Sequence, residues 1–210
     1  MDKELKEEII EHIEKYIKYA FEDWEEICLN FYDEIEDGKI KEEWLKREVK
    51  KRYEKQLEKE KDWQTTTFDK LVSVFDTLST RLIISLHMAG VTRQDGEYIA
   101  SATYDELEEK GIEAEGYCYY HTQDVELAIG DNQKLYIRYG DFQGDNDKCQ
   151  QVGKLIVTEL RKHNFEVHWS ESINTAIEIK PFLWQKRHDG IDYSSKRTMA
   201  HILATQTKSS

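Results

Sequence analysis

Apolar residues recur at spacings of three and four along the start of the chain, with Glu and Lys between them. This period places them on one face of an α-helix, so it predicts a long amphipathic helix over residues 3–36. The apolar positions are Ile13, Ile17, Ala20, Trp24, Ile27 and Phe31. The Asp37-Gly38 pair predicts the end of this helix, because glycine accepts the left-handed backbone found there. A second helix is predicted over residues 40–62, and the short connection favours an antiparallel hairpin.

The apolar stripe of the first helix has two interpretations. It could pair with another chain as a coiled coil, which would make a homo-oligomer through the first helix. It could also pack against helices of its own chain, as most such stripes do, and we favour this interpretation. The spacing serves both arrangements equally, so the oligomeric state stays open.

A third helix is predicted after the Thr65-Thr66-Thr67 cluster, because threonine is a common helix N-cap. We expect it to run to about Ala89 and to end at Gly90. Its apolar face would consist of Phe68, Leu71, Phe75, Leu78, Leu82 and Leu86. Residues 91–115 are less regular. The Asp95-Gly96 pair predicts a turn, and Tyr104–Lys110 predicts a short helix.

From Gly116 onward the pattern changes to strands that alternate with helices. The predicted strands cover residues 117–121, 133–139, 166–170 and 175–179, and the order is β-α-β-α-β-β. This order predicts an α+β fold in which helices pack on a small mixed sheet of about four strands. We therefore divide the chain into three parts: a helical hairpin (1–64), an α+β domain (65–187) and a C-terminal tail (188–210). The tip of the tail is expected to be poorly ordered.

The charge of the chain narrows the classes of partner. The net charge of −13 disfavours a general nucleic-acid binder or a protein that binds an anionic membrane, since both need a positive field. The charge is −7 over residues 1–62, −9 over 63–180 and +3 over 181–210. Such an acidic body fits either simple solubility or a basic protein partner.

The cysteines and the chain start indicate the compartment. Cys28, Cys118 and Cys149 are odd in number and far apart, so we expect free thiols and a cytoplasmic protein. The charged, helical start does not resemble a signal peptide, and the chain has no apolar run long enough for a membrane span.

No metal and no cofactor are expected from the motifs. The chain lacks a Cys-x-x-Cys pair, a phosphate-binding glycine loop and a His-Glu-x-x-His helix. Asp145 and Asp147 fit two positions of a calcium-binding loop, but the required glycine does not follow them.

Four segments together resemble a known family. They are Tyr119–Glu126, Leu135–Gly140, Val152-Gly153 and Val167–Trp169. They are similar to the bacterial DUF6891 domain family, to which no function is assigned. The resemblance covers roughly residues 68–187 and excludes the first two helices. It implies that this region forms one unit, and it implies no activity.

The junction between the first strand and its helix is the candidate site. His121, Gln123 and Asp124 crowd this junction, and folds that alternate strands and helices place ligands at such strand ends. His121 can exchange a proton near neutral pH, and Asp124 could orient its ring or cap the helix. The candidate binding residues are Tyr120, His121, Gln123, Asp124, Arg138 and Trp169. Three roles stay open for His121: proton transfer, contact with a ligand or partner, and a structural hydrogen-bond cluster.

Two functions of different classes follow. The first is an acidic cytoplasmic protein–protein interaction module of the inhibitor, immunity or adaptor type, with a basic partner. The second is an enzyme or small-ligand-binding protein that uses the His-x-Gln-Asp strand-end site. A cleft in which His121 and Asp124 lie within about 3 Å favours the second function. A filled strand end, in which both side chains cap the backbone, favours the first, which we prefer.

Overall fold

A computed structural model describes residues 2–206, and across this range the chain forms nine helices and five strands. The helices are α1 (Lys3–Tyr19), α2 (Trp24–Leu29), α3 (Tyr32–Glu36), α4 (Glu42–Glu60), α5 (Thr67–Ser79), α6 (Arg93–Glu108), α7 (Thr122–Ile129), α8 (Asn146–Lys162) and α9 (Ser195–Gln206). The strands are β1 (Ile83–Leu86), β2 (Gly116–Tyr119), β3 (Leu135–Gly140), β4 (Val167–His168) and β5 (Ile177–Ile179).

The chain divides into two compact units. The helical unit contains Met1–Thr66 and Gln185–Ile191, and the sheet unit contains Thr67–Trp184 and Asp192–Ser210. The short segment Gln185–Ile191 therefore returns to the helical unit after the sheet has been completed. Glu60 at the end of α4 holds this segment, because its carboxylate accepts the backbone N–H of His188 at 3.0 Å and lies 2.8 Å from His188 Nδ1.

The prediction of one continuous helix over residues 3–36 was wrong, because this stretch forms α1, α2 and α3. The first break lies at Ala20, whose φ of 63° is in the left-handed region and ends α1. Asp23 then starts α2 with a capping box, in which it accepts the N–H groups of Glu25 and Glu26 while Glu26 accepts its own N–H. These reciprocal bonds satisfy the backbone donors of a new helix end, so they stabilise the break.

The predicted apolar stripe is nevertheless buried, and it forms the core of the helical unit. The buried cluster consists of Ile9, Ile13, Ile17, Ile27, Cys28, Phe31, Ile40, Leu45 and Val49. Trp24 packs against it from a partly buried position. The stripe remains buried although two of its members, Ala20 and Phe31, lie at the breaks between the helices. With α4, residues 2–66 thus form four helices where two were predicted.

The predicted α+β class is confirmed by the sheet unit. Its sheet has the strand order β1-β2-β3-β5-β4, with β1 and β2 parallel and the other neighbours antiparallel. The predicted order β-α-β-α-β-β matches the chain from β2 to β5. The core face of β3 holds Leu135, Ile137 and Tyr139, while Tyr136 and Arg138 lie on the less buried face.

The prediction that the third helix reaches Ala89 was wrong. Helix α5 ends at Ser79, Leu82 has a left-handed φ of 63°, and Ile83–Leu86 forms the buried edge strand β1. In a short, fully apolar run, periodicity cannot distinguish a buried strand from a buried helix. The predicted helix was therefore extended through residues that form a strand. Gly90 ends no helix and instead receives hydrogen bonds from Thr122.

The irregular stretch predicted at residues 91–115 contains α6, which joins the parallel strands β1 and β2. A capping box between Thr92 and Asp95 starts this helix, so the Asp95-Gly96 pair lies in its first turn and not in a loop. The absence of a Cβ at Gly96 is required here, since an added Cβ would lie 2.2 Å from the Tyr119 ring. Helix α6 therefore packs closely on β2.

The region predicted as a C-terminal tail contains α9, and Thr198, Met199 and Ile202 of this helix are buried. Arg197 anchors it through paired bonds to the Asp76 carboxylate at 2.8 and 2.6 Å. The poor order predicted for the tip falls on residues 207–210, which lie outside the described residues.

Candidate functional site

The sheet places three of the predicted residues side by side. Tyr119 at the end of β2 pairs with Arg138 on β3, so Arg138 lies beside the turn that leads from β2 into α7. His121 is the N-cap of α7, and Asp124 is in its first turn. The strand-to-helix junction predicted from the sequence is therefore real, and Arg138 joins it across the sheet.

His121 and Asp124 form a capping box that is buried. Each side chain is only 2% exposed. Asp124 Oδ2 accepts the backbone N–H of His121 at 3.1 Å and lies 3.0 Å from His121 Nδ1. The Asp124 carboxylate thus satisfies the backbone N–H of the residue that caps α7, while the Asp124 N–H lies at the longer distance of 3.4 Å from His121 Nδ1.

Arg138 closes this network from the other side. Its Nε donates to His121 Nε2 at 3.0 Å, and its Nη2 donates to Asp124 Oδ1 at 3.4 Å. A guanidinium group always carries its protons, so His121 Nε2 must be the acceptor. The neutral imidazole therefore has its proton on Nδ1, where the Asp124 carboxylate accepts it.

Burial shifts the pKa of both members of the pair. Burial lowers the pKa of His121 and the Arg138 charge lowers it further, although the Asp124 carboxylate opposes the shift. Burial raises the pKa of Asp124, while bonds from His121 and Arg138 oppose that rise. His121 is thus held neutral near pH 7, in the form that accepts a bond from Arg138.

The arrangement meets the distance set for a proton-transfer pair and the burial set for a structural cluster, but the His121 and Asp124 side chains are each only 2% exposed and do not lie in an open cleft. His121 and Asp124 lie about 3 Å apart, as expected for a proton-transfer pair. They are also buried, and Asp124 caps a backbone N–H, as expected for a structural cluster. Because Arg138 occupies His121 Nε2, the imidazole has no lone pair available to a substrate in this arrangement. What the network does chemically is hold the Arg138 guanidinium in one orientation.

The other predicted site residues lie apart from this network. Gln123 is exposed in the first turn of α7. Tyr120 is fully buried on the other side of the strand, and its hydroxyl lies 2.9 Å from His87 Nδ1 within an aromatic cluster. Trp169 is half-buried and donates its Nε1–H to the Tyr139 hydroxyl at 3.1 Å.

Arg138 also lines a shallow pocket of about 120 Å³, which we call the Arg138 pocket. Its walls are Arg93 and Glu97 from α6, Tyr117 and Tyr119 from β2, Arg138 and Tyr139 from β3, and residues 173–176 before β5. Arg93 and Glu97 were not predicted as site residues, because the sequence pattern indicated no helix at their positions. The Thr92-x-x-Asp95 spacing was the signal that could have located them on a helix.

The helical unit carries a second concave surface, which we call the Leu29 groove. It has a volume of about 380 Å³ and lies between α2, α3 and α4. Its lining consists of Trp24, Glu25, Cys28, Leu29, Tyr32, Ile35, Glu42 and Lys46. Leu29 is 70% exposed and Tyr32 is 59% exposed, so two large apolar side chains project into solvent beside it.

The described residues contain no candidate metal site. No group of three or more His, Cys, Asp or Glu side chains within residues 2–206 is arranged to hold a metal ion. Asp145, which was considered for a calcium-binding loop, caps α8 by accepting the N–H groups of Asp147 and Lys148. None of the helices in the described part of the chain is long and apolar enough to cross a membrane.

Comparison with known proteins finds one family. The description "Domain of unknown function (DUF6891)" matches residues 2–188, which confirms the resemblance. The expectation that the resemblance excludes the first two predicted helices was wrong, because the match begins at residue 2. No curated protein and no solved structure matches the chain. The match spans most of the 210 residues, so the chain belongs to the DUF6891 family.

Proposed function

We propose that this protein is an interaction module that binds a basic, partly apolar segment of a partner protein at the Leu29 groove. The observation that carries the proposal is the pairing of exposed apolar side chains with concentrated negative charge. Residues 22–37, which form most of the groove, contain eight acidic residues and no basic residue. Large apolar side chains exposed together commonly mark a protein contact.

The charge and shape of the groove favour one class of partner. Glu42 and Lys46 line it as an ion pair at 2.6 Å, so their charges compensate each other, and Glu25 adds an unmatched negative charge to the lining. An amphipathic helix with Lys and Arg between apolar anchors would place its anchors beside Leu29 and its charges against the acidic segment. The net charge of −13 would add long-range attraction for such a segment.

A cytoplasmic location belongs to the same proposal. The three cysteines are free thiols, and Cys28 and Cys118 are buried. Free thiols are typical of a reducing compartment.

Two designed peptides test the proposal by titration calorimetry. The first is an amphipathic helix with leucines at spacings of three and four and with lysines and arginines between them. The second carries glutamates in place of the basic residues. We expect saturable binding of the basic peptide only. Equal binding of both peptides, or of neither, would overturn the proposal.

A matched pair of variants locates the contact. Leu29→Ser removes an apolar side chain at the groove and is expected to weaken binding of the basic peptide by about tenfold, because central apolar anchors dominate such interfaces. Leu183→Ser removes an apolar side chain that is 50% exposed in the sheet unit and should leave affinity unchanged. An equal loss in both variants would rule out the Leu29 groove as the contact surface.

A further inference from the structure

The Arg138 pocket presents a guanidinium group whose orientation is already fixed. The edge of the group formed by Nε and Nη2 faces inward, where His121 and Asp124 accept its protons. Arg138 is 29% exposed and lines the pocket, so the remaining N–H groups on Nη1 and Nη2 are not consumed by this inner pair. These groups form a planar pair of donors that matches a carboxylate.

The surroundings hold the rest of the pocket in place. The rings of Tyr117 and Tyr119 are stacked with centroids 6.1 Å apart, and the Tyr119 hydroxyl donates to the backbone carbonyl of Arg93 at 2.9 Å. Tyr139 is fixed by its bonds to Ser172 and Trp169. Side chains that are ordered before binding lose less conformational entropy when a ligand arrives.

The charges in the pocket select between anions. Arg138 is partly compensated by Asp124 at 3.4 Å, and Arg93 is paired with Glu97 at 2.7 Å. With both arginines paired to carboxylates, the pocket has little surplus positive charge, and this disfavours a dianion such as phosphate more than a singly charged carboxylate. A volume of about 120 Å³ holds only a few heavy atoms.

We infer that the Arg138 pocket binds the carboxylate of a small organic acid, with His121 and Asp124 as positioning residues behind the arginine. The carboxylate accepts two parallel hydrogen bonds from Nη1 and Nη2 of Arg138. This inference is independent of the Leu29 groove, which lies in the other unit, so either can fail alone. It also changes the role predicted for His121, which acts through Arg138 and does not touch the ligand.

Titration with acetate at constant ionic strength tests the inference. Nitrogen NMR follows the Arg138 Nε resonance where the arginine is present, and the backbone amide resonances of Tyr119 and Tyr139, which also line the pocket, in every variant. We expect a saturable shift with acetate and a weaker response to inorganic phosphate. Arg138→Lys keeps the charge but lacks the planar pair of donors, so acetate affinity should fall about tenfold. Arg161→Lys on the exposed surface of α8 is the control and should bind acetate as the wild type does.

Variants of the positioning residues separate orientation from folding. His121→Gln retains an acceptor for Arg138 Nε and should retain acetate binding, whereas His121→Phe should lose it. If His121→Phe does not fold, Asp124→Leu replaces it with the same expectation. The inference fails if acetate gives no saturable shift, if phosphate binds more tightly, or if Arg138→Lys binds acetate as well as the wild type does.

Discussion

At the scale of single residues, the central feature is a neutral histidine enclosed by two charged partners. His121 donates from Nδ1 to Asp124 and accepts at Nε2 from Arg138. Its ring therefore uses both nitrogens, and removal of the ring would leave two buried or half-buried charged groups with fewer partners. Such a residue contributes to the stability of the fold.

Replacement of His121 by Ala is therefore expected to destabilise the fold. The free energy of unfolding should fall by about 1–3 kcal/mol, since a buried polar group that loses its partner carries its full desolvation cost. Urea denaturation near neutral pH measures this change. His168→Ala is the control, because the His168 side chain is 56% exposed. It should change the free energy of unfolding by no more than is usual for the substitution of an exposed residue. Equal effects at both positions would contradict the network.

The lowered pKa of His121 predicts a loss of stability in acid. Because burial lowers the pKa in the folded state, the unfolded chain takes up the proton first as the pH falls below about 6.5, which favours unfolding. Unfolding free energies measured from about pH 7.5 down to about pH 5.5 should fall more steeply for the wild type than for His121→Gln. Both proteins retain Asp124, and identical slopes would show that His121 does not titrate abnormally.

At the scale of elements, short capping boxes decide where helices begin. Asp23 with Glu26 starts α2, Thr92 with Asp95 starts α6, and His121 with Asp124 starts α7. In each case the cap satisfies backbone N–H groups that have no partner inside the helix. The caps of α2 and α6 were not predicted. The cap of α2 lies inside the stretch predicted as one long helix, and the cap of α6 lies inside the stretch predicted as irregular.

The cap of α2 can be tested directly. Asp23→Ala removes the acceptor for two backbone N–H groups and should lower the free energy of unfolding by about 1 kcal/mol. Hydrogen exchange should also become faster in Trp24–Leu29. Asp33→Ala, an exposed acid in the first turn of α3, removes the same charge without a side-chain cap and should have a smaller effect. A larger loss for Asp33→Ala would contradict the role of the cap.

The contact between α6 and β2 supports the wall of the Arg138 pocket. Gly96→Ala would place a Cβ 2.2 Å from the Tyr119 ring, so the ring or the helix must move. We expect a loss of about 1–3 kcal/mol in stability, the usual cost of overpacking, together with altered Tyr119 ring resonances. Ser101→Ala on the exposed face of the same helix should be neutral. Unchanged Tyr119 resonances in Gly96→Ala would show that the two elements do not pack as described.

At the scale of the whole molecule, a net charge of −13 conceals an uneven distribution. All of the charged side chains in residues 22–37 are acidic. A pocket of about 400 Å³ in the same helical unit is instead lined by five basic residues and one acidic residue. These are Lys18, Lys51, Arg52, Lys55, Lys59 and Glu14. The concentration of negative charge is thus a local property of residues 22–37. Binding of the basic peptide should therefore depend on whether the acidic residues that are replaced lie in this segment.

Two double variants of equal net charge test this dependence. The double variant Glu25→Gln with Glu36→Gln should bind the basic peptide more weakly than the wild type does. Its affinity should also change less than that of the wild type as the ionic strength rises from about 0.05 to about 0.5 M. Glu108→Gln with Glu109→Gln makes the same change in charge in the sheet unit and should have little effect. Calorimetry at each salt concentration measures both. Equal losses would mean that only the total charge attracts the peptide.

The sequence by itself determined the class of fold and most of the core. The stripe with Ile13, Ile17 and Ile27 is buried as predicted, because burial of apolar surface follows the period of the sequence whether or not the helix is continuous. The order of elements from β2 to β5 also followed from pattern, since each strand alternates with a visible helix or turn. His121 and Asp124 were found because their spacing alone brings them to one helix start.

Only the tertiary structure decided the break at Ala20, whose left-handed backbone ends α1, and the end of α5 at Ser79, shortly before the left-handed Leu82. It also decided the role of Arg138, which is distant in sequence and reaches His121 through the pairing of β2 with β3. Periodicity records which face of an element is buried. Which side chains meet across the sheet depends on register, and register is a property of the assembled fold.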